Sequence, residues 1–205
     1  GVALLHEAKI LLVGEPDAGK TTLMRKLIDP QHKVPAKESS TLGINVCSWR
    51  FPFPKNIDIV FNASIWDFGG QEIQYTLHHF FLTPQSLYAL LVDDRRQHTE
   101  FDYWFNIIRI LGGNSSILVV LNEKNYKSIT NFSLKTYSER YPELNIERRD
   151  VDFSVEDGRF EGLSRKIQEM LSNLEHVGDE LPAKWILIRT KLEQQKGRNY
   201  ISVEE

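Results

Sequence analysis

The stretch Gly14-Glu-Pro-Asp-Ala-Gly19-Lys20-Thr21 constrains the fold of this chain more than any other. It spells G-x-x-x-x-G-K-[ST] directly after the apolar run Ile10-Leu11-Leu12-Val13 and directly before Thr22-Leu23-Met24-Arg25-Lys26-Leu27-Ile28, where Leu23, Leu27 and Ile28 fall at helical spacing. A strand, a glycine-rich loop and a helix in that order form a phosphate cradle, because glycines let backbone N–H groups turn inward at the positive end of a helix. The candidate binding residues are Gly14, Glu15, Pro16, Asp17, Ala18, Gly19, Lys20, Thr21 and Thr22. Lys20 reaches the β- and γ-phosphates, and the Thr21 hydroxyl sits on Mg²⁺. The plainer alternative is a glycine-rich βα turn without a ligand.

A chain of 205 residues accommodates one α/β domain and a short appendage. Its 25 basic and 28 acidic residues leave no basic excess, which argues against a nucleic-acid partner. Cys47 is the single cysteine, so an intrachain disulfide and a cysteine-rich metal site are excluded. Apolar runs such as Leu87-Tyr-Ala-Leu-Leu-Val92 are far too short to span a membrane. Val2-Ala-Leu-Leu5 is followed at once by His6, Glu7 and Lys9, which does not read as a secretion signal. The expectation is a cytoplasmic protein, and the ending at Glu205 suggests a piece of a longer one.

Short apolar runs alternate with amphipathic stretches, the pattern of a doubly covered, mostly parallel sheet. Strands are expected near 8–13, 44–51, 57–66, 86–92, 116–122 and 147–153, and helices near 20–28, 71–82, 99–111, 133–140 and 160–174. The second and third strands can form a hairpin through Pro52-Phe-Pro54-Lys-Asn56. The expected fold is therefore α/β: a mostly parallel six-stranded sheet with one antiparallel edge strand and helices on both faces. Phe160, Leu163, Ile167, Met170, Leu171 and Leu174 form one apolar stripe on the last of these helices. Residues 1–174 make the domain. In the appendage, 175–205, Glu175–Glu180 reads as a linker and Leu181-Pro182 as the start of a helix carrying Leu181, Trp185, Ile188 and Leu192 on one side.

A second constellation is Ala63-Ser-Ile-Trp66-Asp67-Phe68-Gly69-Gly70-Gln71-Glu72. Asp67 at a strand end can hold Mg²⁺ through water, the Gly70 N–H can approach a γ-phosphate, and Gln71 is placed to orient an attacking water. Between the two motifs runs Glu38-Ser-Ser-Thr-Leu-Gly-Ile44, where Thr41, or Ser40 in second place, can complete the Mg²⁺ shell when a γ-phosphate is present. An ordinary Ser/Thr turn competes with that reading.

These residues resemble the Ras-like small GTPase fold and, within it, the Roc domains of Roco proteins. The resemblance rests on Gly14–Thr21, Thr41-Leu-Gly-Ile44 and above all Trp66-Asp-Phe-Gly-Gly-Gln-Glu72, with support from His79-Phe-Phe81, Val92-Asp-Asp-Arg95 and Tyr103-Trp104. It covers about residues 8–174, and Leu181–Glu205 resembles the start of the COR region that follows Roc. The resemblance implies a guanine-nucleotide switch that binds GTP or GDP with Mg²⁺ and hydrolyses GTP slowly. It also implies a regulatory place beside COR and other domains of a large protein, often a homodimer. In this frame Lys20, Thr41 and Gln71 carry catalysis, and Thr21, Thr41 and Asp67 hold the metal.

The base-reading motif departs from the family pattern N-K-x-D. Here the strand ends in Asn122-Glu123-Lys124-Asn125: the Asn is present, Glu123 stands at the Lys position and Asn125 at the Asp position. A carboxylate accepts from both guanine N1–H and the exocyclic amine, whereas an amide offers one acceptor and one donor and suits xanthine better. The S-A-K-like loop is represented by Ser154-Val155-Glu156. Asn122, Lys124, Asn125, Ser154 and Val155 are the candidate base-side residues. Relaxed base selection is expected, unless Lys124 compensates through a loop shifted by one residue.

Other residues carry plainer readings. Arg95 and Arg96 fit either a catalytic arginine or a solvated loop, and His78 and His79 lack partners at metal-ligand spacing. Phe101, Trp104 and Ile108 read as helix core. Two further function classes compete: a non-hydrolysing assembly module with weak base specificity, and a small-molecule kinase, against which Asp67–Gln71 argues.

Overall fold

The computed structural model describes residues 1–33, 43–68, 83–93, 99–113, 115–123 and 132–182, together with Lys184, Trp185, Ile188 and Lys191. Its main sheet contains β2 (Glu7–Gly14), β3 (Ile44–Phe53), β4 (Asn56–Phe68), β5 (Ser86–Asp93), β6 (Ser116–Asn122) and β7 (Ile146–Val151). The strand order is β3-β4-β2-β5-β6-β7. Only β3 runs antiparallel to its neighbour; the other pairs are parallel. A separate two-stranded antiparallel sheet joins β1 (Val2–Leu4) to β8 (Glu180–Pro182). The helices whose full bounds fall among the described residues are α1 (Lys20–Ile28), α2 (Phe101–Gly112), α3 (Leu134–Arg140) and α4 (Arg159–Ser172).

Period-two alternation along the central strands builds two cores. Ile10, Leu12, Leu87, Ala89, Leu91, Leu118 and Val120 face one side, where Leu23 and Leu27 of α1 and Leu163 and Ile167 of α4 cover them. Leu11, Val13, Tyr88, Leu90, Val92, Val119 and Leu121 face the other, under Phe101, Trp104, Phe105 and Ile108 of α2. Strands covered on both faces need no polar alternation, which is why they read as unbroken apolar runs. Full burial of each valine, leucine, isoleucine or phenylalanine among them stabilises by roughly 1.5–3 kcal/mol. Gly112 lets α2 close on the sheet, since a Cβ there would stand 2.9 Å from the Tyr88 ring.

The six strands and the helices over 20–28, 99–111, 133–140 and 160–174 form where expected, with ends displaced by a few residues. The β3–β4 hairpin turns at Pro54-Lys55 and stacks Phe51 on Phe61 at 5.1 Å and Phe53 on Phe61 at 5.7 Å. The helix expected over 71–82 lies outside the described residues. Leu181-Pro182 differs from expectation: it is strand, not helix. The cause lies at the far end of the chain, where β1 supplies an antiparallel partner, Leu5 N–H donates to the Asp179 carbonyl at 2.9 Å and Gly178 N–H to the Leu5 carbonyl at 2.8 Å. Pro182 has no N–H to offer and is tolerated at this short strand's end. Trp185 and Ile188 are helical and exposed, at 64 % and 56 %. Among the described residues no helix is long and apolar enough to cross a membrane.

Candidate functional site

The C-terminal ends of the parallel strands meet along one edge. Leu12 pairs with Asp67, Gly14 with Leu91, Asp93 with Asn122 and Asn122 with Val151. The sheet grows from β2 towards β4 on one side and β5 on the other, so a crevice opens at the end of β2. The glycine-rich loop sits there.

Its shape is dictated by three residues in the left-handed half of backbone space: Gly14 at φ 130°, Asp17 at φ 62° and Gly19 at φ 101°. Gly14 is doubly constrained, because a Cβ would collide with the Leu91 carbonyl oxygen. A Cβ on Gly19 would stand 2.9 Å from Asn122 Nδ2 and 3.1 Å from the Phe153 ring. Gly19 caps α1 with no side-chain hydrogen bond, and the first turn of that helix has no acidic residue. The N–H groups and the positive dipole end at the start of α1 suit an anion. Lys20, only 7 % exposed, donates from Nζ to the carbonyls of Gly14 at 2.9 Å and Glu15 at 2.8 Å. The ammonium is thereby fixed inside the curve of the loop.

Two of the three residues expected to hold a metal, Thr21 and Asp67, come together. Thr21 Oγ1 donates to Asp67 Oδ2 at 2.7 Å, across 46 positions of sequence. Asp67 is fully buried at the end of β4. A hydroxyl and a buried carboxylate converging beside a phosphate cradle form an all-oxygen donor set, which fits Mg²⁺ held by few protein groups plus phosphate and water. Nearby, Lys9 Nζ lies 5.2 Å from the centre of the Trp66 ring, and burial pulls that ammonium below its ordinary value.

At the other end of the crevice, Asn122 is 3 % exposed and donates from Nδ2 to the Ala18 carbonyl at 3.2 Å, tying β6 to the phosphate loop. Glu123 N–H donates to the Val151 carbonyl at 2.7 Å, and its carboxylate pairs with Arg159 Nη1 at 2.8 Å. Arg159 also donates from Nε to Asp157 Oδ2 at 2.6 Å. Burial alone would lower the Arg159 pKa, but the hydrogen bonds to Asp157 and Glu123 outweigh it and the net shift is upward. Asp152, 1 % exposed, accepts from Ser154 N at 2.8 Å and from Ser154 Oγ at 2.5 Å, which shapes the loop after β7.

The structure thus gathers Gly14, Glu15, Pro16, Asp17, Ala18, Gly19, Lys20, Thr21, Thr22, Asp67 and Asn122 around one crevice, with Ser154 and Val155 on the adjoining loop. Thr41, Gly70, Gln71, Lys124 and Asn125 lie outside the described residues, as do Ser40, His78, His79, Arg95 and Arg96. Phe101, Trp104 and Ile108 are core, 5 %, 2 % and 0 % exposed. Sequence reasoning missed Asp152, Phe153 and Arg159. A signal existed for Arg159: a cation at the first position of a helix opposes the dipole and calls for nearby carboxylates.

Residues 9–125, more than half of the chain, match the family model described as "Ras of Complex, Roc, domain of DAPkinase". The chain belongs to the Roc family. The solved structure of Methanosarcina barkeri Roco2 RocCORdC bound to GDP is 36 % identical and superposes with a TM-score of 0.81, over the whole of this chain and 60 % of that one. A Roc-COR-CHAT protease of an unknown prokaryote is 26 % identical over 100 % of this chain and 21 % of its own length. The probable serine/threonine-protein kinase pats1 of Dictyostelium discoideum is 24 % identical over 96 % of this chain and 7 % of its own. This Roc domain therefore spans only a small part of the curated relatives it matches, and its fold is that of the Ras-like P-loop GTPases.

Proposed function

We propose that this Roc domain is an Mg²⁺-dependent GTP/GDP switch that hydrolyses GTP slowly and regulates a larger, cytoplasmic multidomain protein. The observation that carries the reading is the Thr21–Asp67 hydrogen bond of 2.7 Å beside the Gly19-led start of α1 and a buried Lys20. The GDP bound to the Roco2 relative supports guanine nucleotide as the ligand class. When bound, Mg²⁺ supplies charge neutralisation at the phosphate oxygens. Lys20 binds phosphate as a fixed point charge, and the loop amides and the first turn of α1 donate to it. Thr41 closes on the metal side when a γ-phosphate is present, the Gly70 N–H meets that phosphate, and Gln71 orients the water. Catalysis here needs positioning more than a strong base, and with no assigned arginine in cis the turnover is slow. Residues 1–174 form the switch, and 175–205 open a COR-like region through which homodimers form.

The test is titration of nucleotide-stripped, Mg²⁺-loaded protein with GDP, XDP and ADP, with Lys20→Ala as control. GDP binding that disappears in the control is expected, and Gln71→Leu should slow turnover while sparing binding. A second reading, an assembly module with relaxed base choice, draws support from Glu123 at the family's lysine position and from the exposed Trp185 and Ile188. Weak, base-indifferent binding together with nucleotide-independent dimerisation would favour it.

A further inference from the structure

The family's lysine position carries an acid in this chain, and that acid is not idle. Glu123 holds Arg159 at 2.8 Å from 36 positions away, while Asp157 holds the same guanidinium at 2.6 Å through Nε. The side chains are 15 %, 26 % and 23 % exposed for Glu123, Arg159 and Asp157, neither core nor free surface. Chain neighbours of this trio lie against the phosphate loop and α1. Asn122, the neighbour of Glu123, touches the phosphate loop at Ala18. Phe153, on the loop leading to Arg159, backs directly on Gly19. Phe160, the neighbour of Arg159, stands 6.5 Å from Phe153, and Lys26 of α1 lies 5.3 Å from its centre.

We infer that Arg159 is a specificity-determining residue of the nucleotide site, presenting the plane of its guanidinium to a purine base, with Glu123 and Asp157 as its positioning residues. N–H donors lie in the guanidinium plane, so two carboxylates bound at its edge fix the orientation of that plane. Recognition through a face is compatible with both hydrogen bonds at once. A planar delocalised cation stacks well on a nucleobase; the ammonium of a lysine, though of equal charge, offers no plane. A flat surface for a base is in this way supplied from α4 rather than from the loop after β6. Stacking discriminates by ring area, so it favours purines over pyrimidines while tolerating changes at the base edge.

The inference rests on the nucleotide-binding reading above, and the experiment separates the two. Binding of GDP, XDP, CDP and inorganic pyrophosphate is titrated calorimetrically, with Mg²⁺, for wild type, Arg159→Lys, Arg159→Ala and Glu123→Gln. Pyrophosphate has no base and reports the phosphate end alone. Expected is a GDP and XDP affinity roughly tenfold weaker in both Arg159 variants. Glu123→Gln should lie between them and wild type, and pyrophosphate should bind all four proteins alike. Arg159→Lys is decisive because it retains the charge and can still reach Glu123. If it binds purine nucleotides as wild type does, or if pyrophosphate weakens in step with GDP, Arg159 is a structural tie and the inference fails alone. If wild type binds none of the four ligands, the nucleotide reading itself falls and takes the inference with it.

Discussion

The two ends of the crevice are built by different means. The phosphate end is shaped by backbone: left-handed Gly14 and Gly19, amides at the start of α1, and one lysine fixed by two carbonyls. At the other end the contacts are between side chains and groups that meet from distant positions: Asn122 against Ala18, and Glu123 against Arg159. Backbone recognition tolerates few substitutions, because glycine alone takes such angles with a neighbour in contact. Side-chain recognition can be rewired, since a charge lost from one element can be supplied by another. One end therefore follows the G-x-x-x-x-G-K-[ST] pattern letter for letter, while the other departs from N-K-x-D at two positions.

If the contrast is real, the largest effects fall on the phosphate end. Gly14→Ala should destabilise the fold by about 3 kcal/mol, from backbone strain and the collision with the Leu91 carbonyl together. Chemical denaturation measures it, and a change under half that size would break the case for backbone control. Gly19 and Gly158 sharpen the point. Both have positive φ, 101° and 81°, yet nothing lies within 4 Å of a Cβ on Gly158, whereas Asn122 and Phe153 crowd one on Gly19. Gly158→Ala should show the backbone cost alone, about 1 kcal/mol, and Gly19→Ala clearly more. Equal losses would mean that contact with the base-side elements plays no part at Gly19.

An intermediate effect is expected where the two ends are tied together. Asn122→Ala removes the donor to the Ala18 carbonyl and should cost about 1–2 kcal/mol in stability. Because that tie fixes the loop, GDP and pyrophosphate should both bind more weakly, unlike the base-only loss expected at Arg159. Unchanged pyrophosphate affinity would show that the loop holds its shape without β6.

The same contrast explains what could be read in advance. The doubly covered sheet is visible as apolar runs, the hairpin as Pro and Asn between alternating segments, and the phosphate loop as a motif whose letters are backbone requirements. The Thr21–Asp67 pair follows because two motifs, each local, lie at the ends of the adjacent strands β2 and β4. Arg159 and Asp152 were not found, since their roles depend on which strand ends lie side by side. Leu181-Pro182 was misjudged for a related reason. Its partner, Val2–Leu4, lies at the opposite end of the chain, and a three-residue strand has no periodicity of its own to reveal it.

The smallest effect comes from an ion pair remote from the site, which sets a scale for the one at the base end. Arg140 Nη1 donates to Asp102 at 2.7 Å, with side chains 52 % and 51 % exposed, twice or more the exposure of Arg159 and Glu123. Hydrogen bonds from Arg140 and then Tyr141 hold the Asp102 carboxyl below its ordinary 3.8. A carboxyl whose pKa is depressed by folding stabilises the fold above its unfolded value, and that contribution is lost as pH falls through the folded one. Tyr141 runs the other way: burial, then its hydrogen bond to Asp102, pushes it up from 10.0 to about 12. Its contribution is intact below pH 10 and disappears as the pH rises towards 12. Asp102→Asn should therefore shift the denaturation midpoint least of these variants at neutral pH, because solvent and salt screen an exposed pair. The difference from wild type should close as the pH falls from 3.8 through the lowered folded value and the carboxyl protonates. It should shrink further in high salt, whereas the more enclosed Glu123–Arg159 pair should respond less to salt. Equal salt sensitivity of Asp102→Asn and Glu123→Gln would mean that the base-end pair is as solvated as a surface one, and that the two ends of the crevice differ less than their geometry indicates.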